Sequence, residues 1–216
     1  MRSRPGSTPS EPIRAVVFDI GGVFFPWPSA EFFAPWAVDL GITPERLHHL
    51  LWYGPDIDAA NIGAITAEEY CRRCSERLRI DQVQVRTLIE GAFSGEHLDD
   101  QLTAYARTLR PRVRVAALTN TWSFGRTLIQ RRGISDLFDL IVTSAEEGIT
   151  KPNVRIYQIT LARLAITPAA AVFIDDSKEN VETARALGMR GIQFFSTEQA
   201  ISEPETLLAH CSNVCE

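Results

Sequence analysis

Short apolar segments alternate with helix-like segments in the second half of the chain, and this alternation constrains the fold more than any other feature. The apolar segments are "RVRVAALTN", "FDLIVTS", "AAVFIDD" and "RGIQFF". Strands that are apolar along most of their length are typical of a parallel sheet covered on both faces. Together with a similar segment at residues 13–19, they predict an α/β fold with a doubly wound, Rossmann-like parallel sheet.

Residues 27–93 interrupt this pattern with helical segments and no strand-like one. Thr66 and Glu69, for example, form the capping-box pattern that marks a helix start. Because this region lies between the first strand and the others, we predict that it is an insertion that caps a site at the strand ends. The predicted core then consists of residues 13–26 and 94–216.

Composition and charge limit the classes of partner. A net charge of -5 gives no sign of a nucleic-acid-binding patch. Four cysteines, and apolar runs too short to span a bilayer, favour a reduced cytoplasmic setting without membrane contact. Residues 1–12 are rich in Pro, Ser and Gly and are predicted to be a disordered tail. The oligomeric state cannot be read from the sequence.

Polar side chains gather where the predicted strands end. They are Asp19, Thr119, Asn120, Lys151, Asp175 and Asp176. A single Asp before a turn is more often a cap than a functional group. However, the carboxyl ends of neighbouring parallel strands face one crevice, so we expect all of these side chains to converge. Their convergence favours a functional site.

The expected cluster suits an anion and a metal ion. Carboxylates from two strand ends can hold Mg²⁺, which prefers oxygen ligands. The side chains and N–H groups of Thr119 and Asn120 can bind a phosphate. Lys151 adds a positive charge, and we place it directly before a helix that has Pro152 at its first position. The residues predict a phosphate site with a metal ion and one exposed nucleophile.

The same residues carry a resemblance to a known family. Their order along the chain resembles the four motifs of the haloacid dehalogenase-like (HAD) hydrolase superfamily. "EEGITKPNVRIY" resembles the third motif, and "FIDDSKENVETARALGMRGIQF" resembles the fourth. "FDIGGV" is similar to a branch that includes sugar-phosphate phosphatases and the phosphatase domain of epoxide hydrolases. The resemblance covers residues 13 to about 195.

This resemblance implies a Mg²⁺-dependent phosphatase that acts on a small phosphorylated substrate. Asp19 would attack phosphorus and form an aspartyl-phosphate. Thr119, Asn120 and Lys151 would bind the phosphoryl group, and Lys151 would also restrain Asp19.

The implied metal ligands are Asp19, the backbone carbonyl of Gly21, and Asp176, with Asp175 beside them. Most phosphatases of the superfamily carry a second Asp where this chain has Gly21. That Asp protonates the leaving alkoxide and then activates water, and such help is worth about 10²–10⁴ in rate. Three outcomes are open: substrates with good leaving groups, a substitute for the acid (Asp176, Glu146 or a residue of the cap), or weak or absent activity.

Two other functions stay open at this point. The fold can bind a phosphorylated ligand without turnover. It can also be a 2-haloacid dehalogenase, because halide needs no proton to leave and the Thr119–Asn120 pair is similar to the second motif of those enzymes. Dehalogenases typically have an aromatic residue at the position of Gly21 and an Arg shortly after the nucleophile. This chain has no Arg or Lys between Phe24 and Leu40.

Aromatic residues cluster after the first strand. They are Phe24, Phe25, Trp27, Phe32, Phe33 and Trp36. The simpler interpretation is hinge and cap core. The functional interpretation is an apolar wall over the leaving group, to which Trp122 would add.

Overall fold

Five parallel strands form one sheet in the part of the chain that the computed structural model describes, residues 11–94 and 97–212. The strands are β1 (Ala15–Phe18), β2 (Arg114–Thr119), β3 (Leu140–Thr143), β4 (Ala171–Asp175) and β5 (Arg190–Gln193). Their spatial order is β3-β2-β1-β4-β5, so β1 is central and pairs with β2 and β4. The predicted α/β class with a parallel sheet is confirmed.

Helices fill the connections between the strands. Between β1 and β2 lie α1 (Ala34–Leu40), α2 (Pro44–Trp52), α3 (Pro55–Asn61), α4 (Ala67–Leu78), α5 (Gln82–Ser94) and α6 (Asp100–Leu109). After β2 follow α7 (Gly125–Arg131), α8 (Ser144–Glu147), α9 (Val154–Leu164), α10 (Lys178–Leu187) and α11 (Thr197–Ser212). At the start of α4 the Thr66 hydroxyl accepts a hydrogen bond from the Glu69 N–H at 3.2 Å, as predicted. Among the described residues, no helix combines the length and apolar character needed to cross a membrane.

Two apolar cores cover the two faces of the sheet. Side chains alternate along a strand, so Val16 and Phe18 of β1 belong to one core and Ala15 and Val17 to the other. The first core takes in residues of α6 and α11, and the second takes in residues of α9 and α10. Every residue of β1 is fully buried as a result. This double covering explains why the strands read as apolar runs.

The helices of the insertion bury a core of their own. Its fully buried members include Phe33, Leu47, Leu51 and Leu88. Trp122, which follows β2, joins this core and so links the insertion to the sheet. The limits of the cap at residues 27 and 93 stay a prediction. Residues 1–10 of the predicted tail lie outside the described residues.

Leu88→Ala should lower the free energy of unfolding by about 2–5 kcal/mol, because it leaves a cavity in the core of the insertion. Val83→Ala on the same helix is the matched control, since Val83 is 74% exposed, and it should change that free energy by less than about 0.5 kcal/mol. Urea denaturation followed by circular dichroism measures both. Equal losses in the two variants would contradict the placement of this core.

Candidate active site

Asp19 directly follows the central strand and lies in a tight turn. Its side chain is buried, and Oδ1 accepts a hydrogen bond from the Ile20 N–H at 2.7 Å. Gly22 has a φ of +74° and donates its N–H to the Phe25 carbonyl at 2.7 Å, which turns the chain back. A Cβ at Gly22 would lie only 2.1 Å from Asp176 Oδ2. Glycine at this position therefore allows the ends of β1 and β4 to approach closely.

The Lys151 ammonium joins the strand ends. Its Nζ lies 2.9 Å from Asp19 Oδ1 and 2.7 Å from Asp175 Oδ2, and the residue is 3% exposed. The Asn120 carboxamide holds the Lys151 backbone: Oδ1 accepts from its N–H at 2.8 Å, and Nδ2 donates to its carbonyl at 2.9 Å. The Asn120 side chain thus positions Lys151, a contact that the sequence did not indicate.

The helix after Lys151 begins later than predicted. The N-terminal residue of α9 is Val154, and Lys151 and Pro152 form a turn before it. The side chain of Asn153 accepts a hydrogen bond from the Arg155 N–H at 3.0 Å. The prediction placed Pro152 at the first helical position because proline is common there. The asparagine cap decides the start of the helix instead.

The two acids at the end of β4 have different surroundings. Asp175 is fully buried, and besides its ion pair with Lys151 it accepts hydrogen bonds from the Asn180 carboxamide at 3.0 and 3.1 Å. Asp176 is less buried, and its Oδ2 accepts a hydrogen bond from the Trp27 indole N–H at 3.0 Å. Asp175 is therefore held by several protein groups inside the fold, whereas Asp176 lies nearer the surface.

Burial and charge oppose each other in this cluster. Burial raises the pKa of Asp19 to about 7, against the attraction of Lys151. Burial also raises the pKa of Asp176 above its ordinary value. Burial alone would lower the pKa of Lys151, but the attraction of Asp19 and Asp175 outweighs it, so that pKa is raised. Lys151 therefore stays charged, and Asp19 and Asp176 hold their protons more tightly than an aspartic acid in water.

The donor atoms fit a hard divalent cation. Asp19, Asp175 and Asp176 each contribute one carboxylate oxygen to a group whose atoms lie within 4.8 Å of one another. Oxygen donors of this kind suit Mg²⁺. Because three carboxylates share one buried ammonium, a divalent cation would offset their remaining negative charge.

Trp27 occupies the space beside Gly21, the position that lacks the second acid. A Cβ on Gly21 would lie 3.1 Å from two ring carbons of the indole. The indole N–H binds Asp176, yet the residue is 53% exposed. Gly21, Trp27, Thr119 and Asn120 all line one cavity. The sequence signal for Trp27 was the aromatic cluster after the first strand, but nothing in it indicated the bond to Asp176.

Glu146 does not suit the role of substitute acid. Its carboxylate accepts hydrogen bonds from Arg126 at 2.7 and 2.6 Å. These bonds lower the pKa of Glu146. A general acid must carry its proton near the working pH, so Glu146 is a poor proton donor here. Of the two acids named from the sequence, Asp176 is the one whose pKa is raised, mainly by its burial.

The family model for haloacid dehalogenase-like hydrolases matches residues 13–188. The chain belongs to this family of hydrolases. Acyl-CoA dehydrogenase family member 10 of Mus musculus is 30% identical over 206 residues, which are 90% of this chain and 19% of that protein. Sesquiterpene phosphatase astK of Aspergillus oryzae is 26% identical over 181 residues, which are 83% of this chain and 88% of that protein.

Solved structures of this family share the fold. A HAD family enzyme from Bacteroides thetaiotaomicron, in complex with magnesium and inorganic phosphate, superposes with a TM-score of 0.72 at 19% identity over 86% of this chain and 96% of that one. Several curated relatives are much longer than this chain. The chain spans 19%, 35% and 38% of the length of three of them.

Lys151→Met should lower the free energy of unfolding of the metal-free protein at pH 7 by about 3–5 kcal/mol, because it leaves buried carboxylates without their partner. The loss should shrink below pH 7, where Asp19, with its pKa raised to about 7, takes up a proton. Lys178→Met is the control, because Lys178 is exposed and its ion-pair distance is 3.6 Å. An equal effect in the two variants would show that the buried ion pairs do not stabilise the fold.

Asp19→Asn should stabilise the metal-free protein, and the gain should grow with pH. The folded pKa of Asp19 is about 7 against an ordinary value of 3.8. Between pH 3.8 and about 7, Asp19 therefore keeps a proton in the folded state but loses it in the unfolded state. The free energy of unfolding of the wild type decreases as the pH rises through this range. Asp19→Asn lacks this pH dependence. Its free energy of unfolding should therefore exceed that of the wild type by about 2–4 kcal/mol more at pH 7 than at pH 4. Urea denaturation in EDTA measures it, and a difference that is constant with pH would contradict the raised pKa.

Proposed function

We propose that the protein is a Mg²⁺-dependent phosphatase that hydrolyses small phosphate monoesters. One observation carries the proposal: Lys151 Nζ lies 2.9 Å from Asp19 Oδ1 in a buried cluster that also contains Asp175 and Asp176. This cluster offers a nucleophile, a positive charge for phosphoryl oxygens and oxygen ligands for a metal ion. The likeness to a sesquiterpene phosphatase over 83% of this chain supports it.

Asp19 is the nucleophile in this proposal. The Ile20 N–H and Lys151 both bind Oδ1, so we assign the attack on phosphorus to Oδ2. An O–P bond forms while the ester P–O bond breaks, and the leaving alkoxide takes up a proton from solvent water, because position 21 carries no acid. Water then attacks the phosphorus of the aspartyl-phosphate, which releases inorganic phosphate and restores Asp19.

Thr119, Asn120 and Lys151 bind the phosphoryl group in the same scheme. Thr119 is the last residue of β2, and its hydroxyl can donate to a phosphoryl oxygen. The carboxamide of Asn120 is engaged with Lys151, so we assign its contribution to the backbone N–H. Lys151 supplies the positive charge and restrains the Asp19 carboxylate.

We assign Mg²⁺ binding to Asp19, the carbonyl of Gly21, and Asp176. Asp175 is the neighbouring acid rather than a ligand, because its carboxylate already binds Lys151 and Asn180. When bound, Mg²⁺ would offset the carboxylate charge and polarise a phosphoryl oxygen. A structure of similar fold in complex with magnesium and inorganic phosphate supports this choice of metal.

Hydrolysis of p-nitrophenyl phosphate, which has a good leaving group, tests the proposal. We expect release of p-nitrophenol with Mg²⁺, its loss in EDTA, and a fall of about 10³-fold or more in Asp19→Asn, which removes the nucleophile. Asp39→Asn is the matched control, because Asp39 is exposed on α1, and it should keep wild-type activity. Activity that survives EDTA or the loss of Asp19 would contradict the proposal. Phosphate binding without release from any ester would point to a binding protein.

A 2-haloacid dehalogenase is the second candidate. The Trp27 indole places an aromatic ring over Gly21, close to where dehalogenases typically have one. Halide release from 2-chloropropionate in EDTA measures this activity. We expect none, because the clustered carboxylates fit a cation better than an anionic 2-halo acid.

A further inference from the structure

We propose that the cavity beside Gly21 takes an apolar leaving group, so that the preferred substrates are phosphate monoesters of small apolar alcohols rather than of sugars. The inference rests on the proposed phosphatase function and names its substrate class. It makes Trp27 a specificity-determining residue, because this indole forms the wall of the cavity nearest the nucleophile turn.

The cavity lies between the strand ends and the helices of the insertion. Gly21, Thr119 and Asn120 line it from the nucleophile and phosphate side, and Trp52 and Ile57 line it from α2 and α3. A substrate whose phosphoryl group meets Asp19 would therefore place its leaving group in this space. Its volume of about 160 Å³ is close to that of an engineered apolar cavity of about 150 Å³ that binds benzene.

The walls are mainly apolar. Side chains from the core and the insertion meet there, namely Ile20, Phe25, Trp27, Trp52, Ile57, Trp122, Leu128 and Ile129. The polar residues in the lining are Asn61, Thr119, Asn120, Thr121 and Arg132. The Asn120 carboxamide is bound to the Lys151 backbone, and the Arg132 guanidinium lies 4.9 Å from the centroid of the Phe25 ring. A sugar ring in this cavity would lose hydrogen bonds to water, and the mainly apolar walls would replace few of them. An apolar group makes no such hydrogen bonds and therefore loses none.

Trp27 stands where the second acid of other phosphatases would project. Its ring carbons come within 3.1 Å of the Cβ position at Gly21, and its N–H is anchored on Asp176 at 3.0 Å. The residue is 53% exposed, so much of the indole is available for contact. The group beside the breaking ester bond is thus an apolar ring rather than a carboxylate.

Two esters with similar alkoxide leaving groups separate the effect of the cavity from that of leaving-group chemistry. Both benzyl phosphate and glucose 6-phosphate release a primary alcohol. We expect kcat/KM for benzyl phosphate to exceed that for glucose 6-phosphate by about 10- to 100-fold, the preference expected when an aryl ring leaves water.

Binding tests the cavity without turnover. In the wild-type protein with Mg²⁺, benzylphosphonate, which has no ester bond to hydrolyse, should bind about 10- to 100-fold more tightly than methylphosphonate in calorimetry, for the same reason. Equal affinities would overturn the inference even if the enzyme hydrolyses every ester.

Four variants assign the preference to the walls. Trp27→Ala should reduce the benzyl-to-glucose ratio of kcat/KM at least about tenfold, whereas Trp27→Phe keeps an apolar ring and should hold it within about threefold. Leu128→Gln puts a polar side chain into the cavity wall, and Gln has a helix propensity similar to that of Leu. This variant should also reduce the benzyl-to-glucose ratio of kcat/KM. Val38→Ala is the control, because Val38 is 79% exposed on α1 and does not line the cavity. Equal ratios in Trp27→Ala and Val38→Ala would overturn the role of Trp27.

The outcomes keep the two proposals apart. Turnover of no ester, with tight benzylphosphonate binding, would contradict the phosphatase function and leave the apolar site standing. Turnover that favours glucose 6-phosphate over benzyl phosphate would support the phosphatase and overturn the apolar site.

Discussion

The Lys151 ammonium, buried between Asp19 and Asp175, is the interaction on which the rest of the site depends. Burying an ammonium costs several kcal/mol unless it is paired with good geometry. The sheet order provides that pairing, because β1 and β4 are neighbours and end beside each other. Asn120, at the end of β2, holds the Lys151 backbone in place. Lys151 thus links the ends of three adjacent strands, β1 and β4 through its ammonium and β2 through its backbone.

The same pairing leaves the site unbalanced in charge. Three carboxylates meet one ammonium. Burial raises the pKa of Asp19 and Asp176, and the neighbouring charge of Asp175 adds to this effect. A phosphate monoester would bring further negative charge to this cluster, which is unfavourable in a poorly solvated place. A bound divalent cation would offset the charge of the carboxylates, so that the cluster would attract a phosphate instead of repelling it. The electrostatics therefore favour phosphate binding in the presence of a divalent cation over phosphate binding without one.

The sequence predicts the features that follow from strand pattern and topology. The apolar segments predicted where the strands lie. The parallel order of the strands predicted that Asp19, Lys151 and Asp175 would lie close together, and the structure shows them in contact. Contacts that depend on loop conformation escaped prediction, such as the Asn120 carboxamide on Lys151 and the Trp27 indole on a carboxylate 149 residues away. The start of α9 was misplaced because two local signals, a proline and an asparagine cap, compete within a few residues.

Gly21 and Trp27 are best understood together, because a Cβ at position 21 would lie only 3.1 Å from two ring carbons of the indole, so that the indole would have to shift for any side chain there. An apolar contact cannot replace the proton donor. Burying an aryl ring contributes about 1.5–3 kcal/mol, whereas the lost acid–base help is worth about 10²–10⁴ in rate, or about 3–5.5 kcal/mol. Contact with the leaving group also stabilises bound substrate and transition state alike, so it raises kcat/KM without raising kcat. In the proposed phosphatase, this pair would act on substrate choice through the leaving group, and protonation of that group would need a donor other than residue 21.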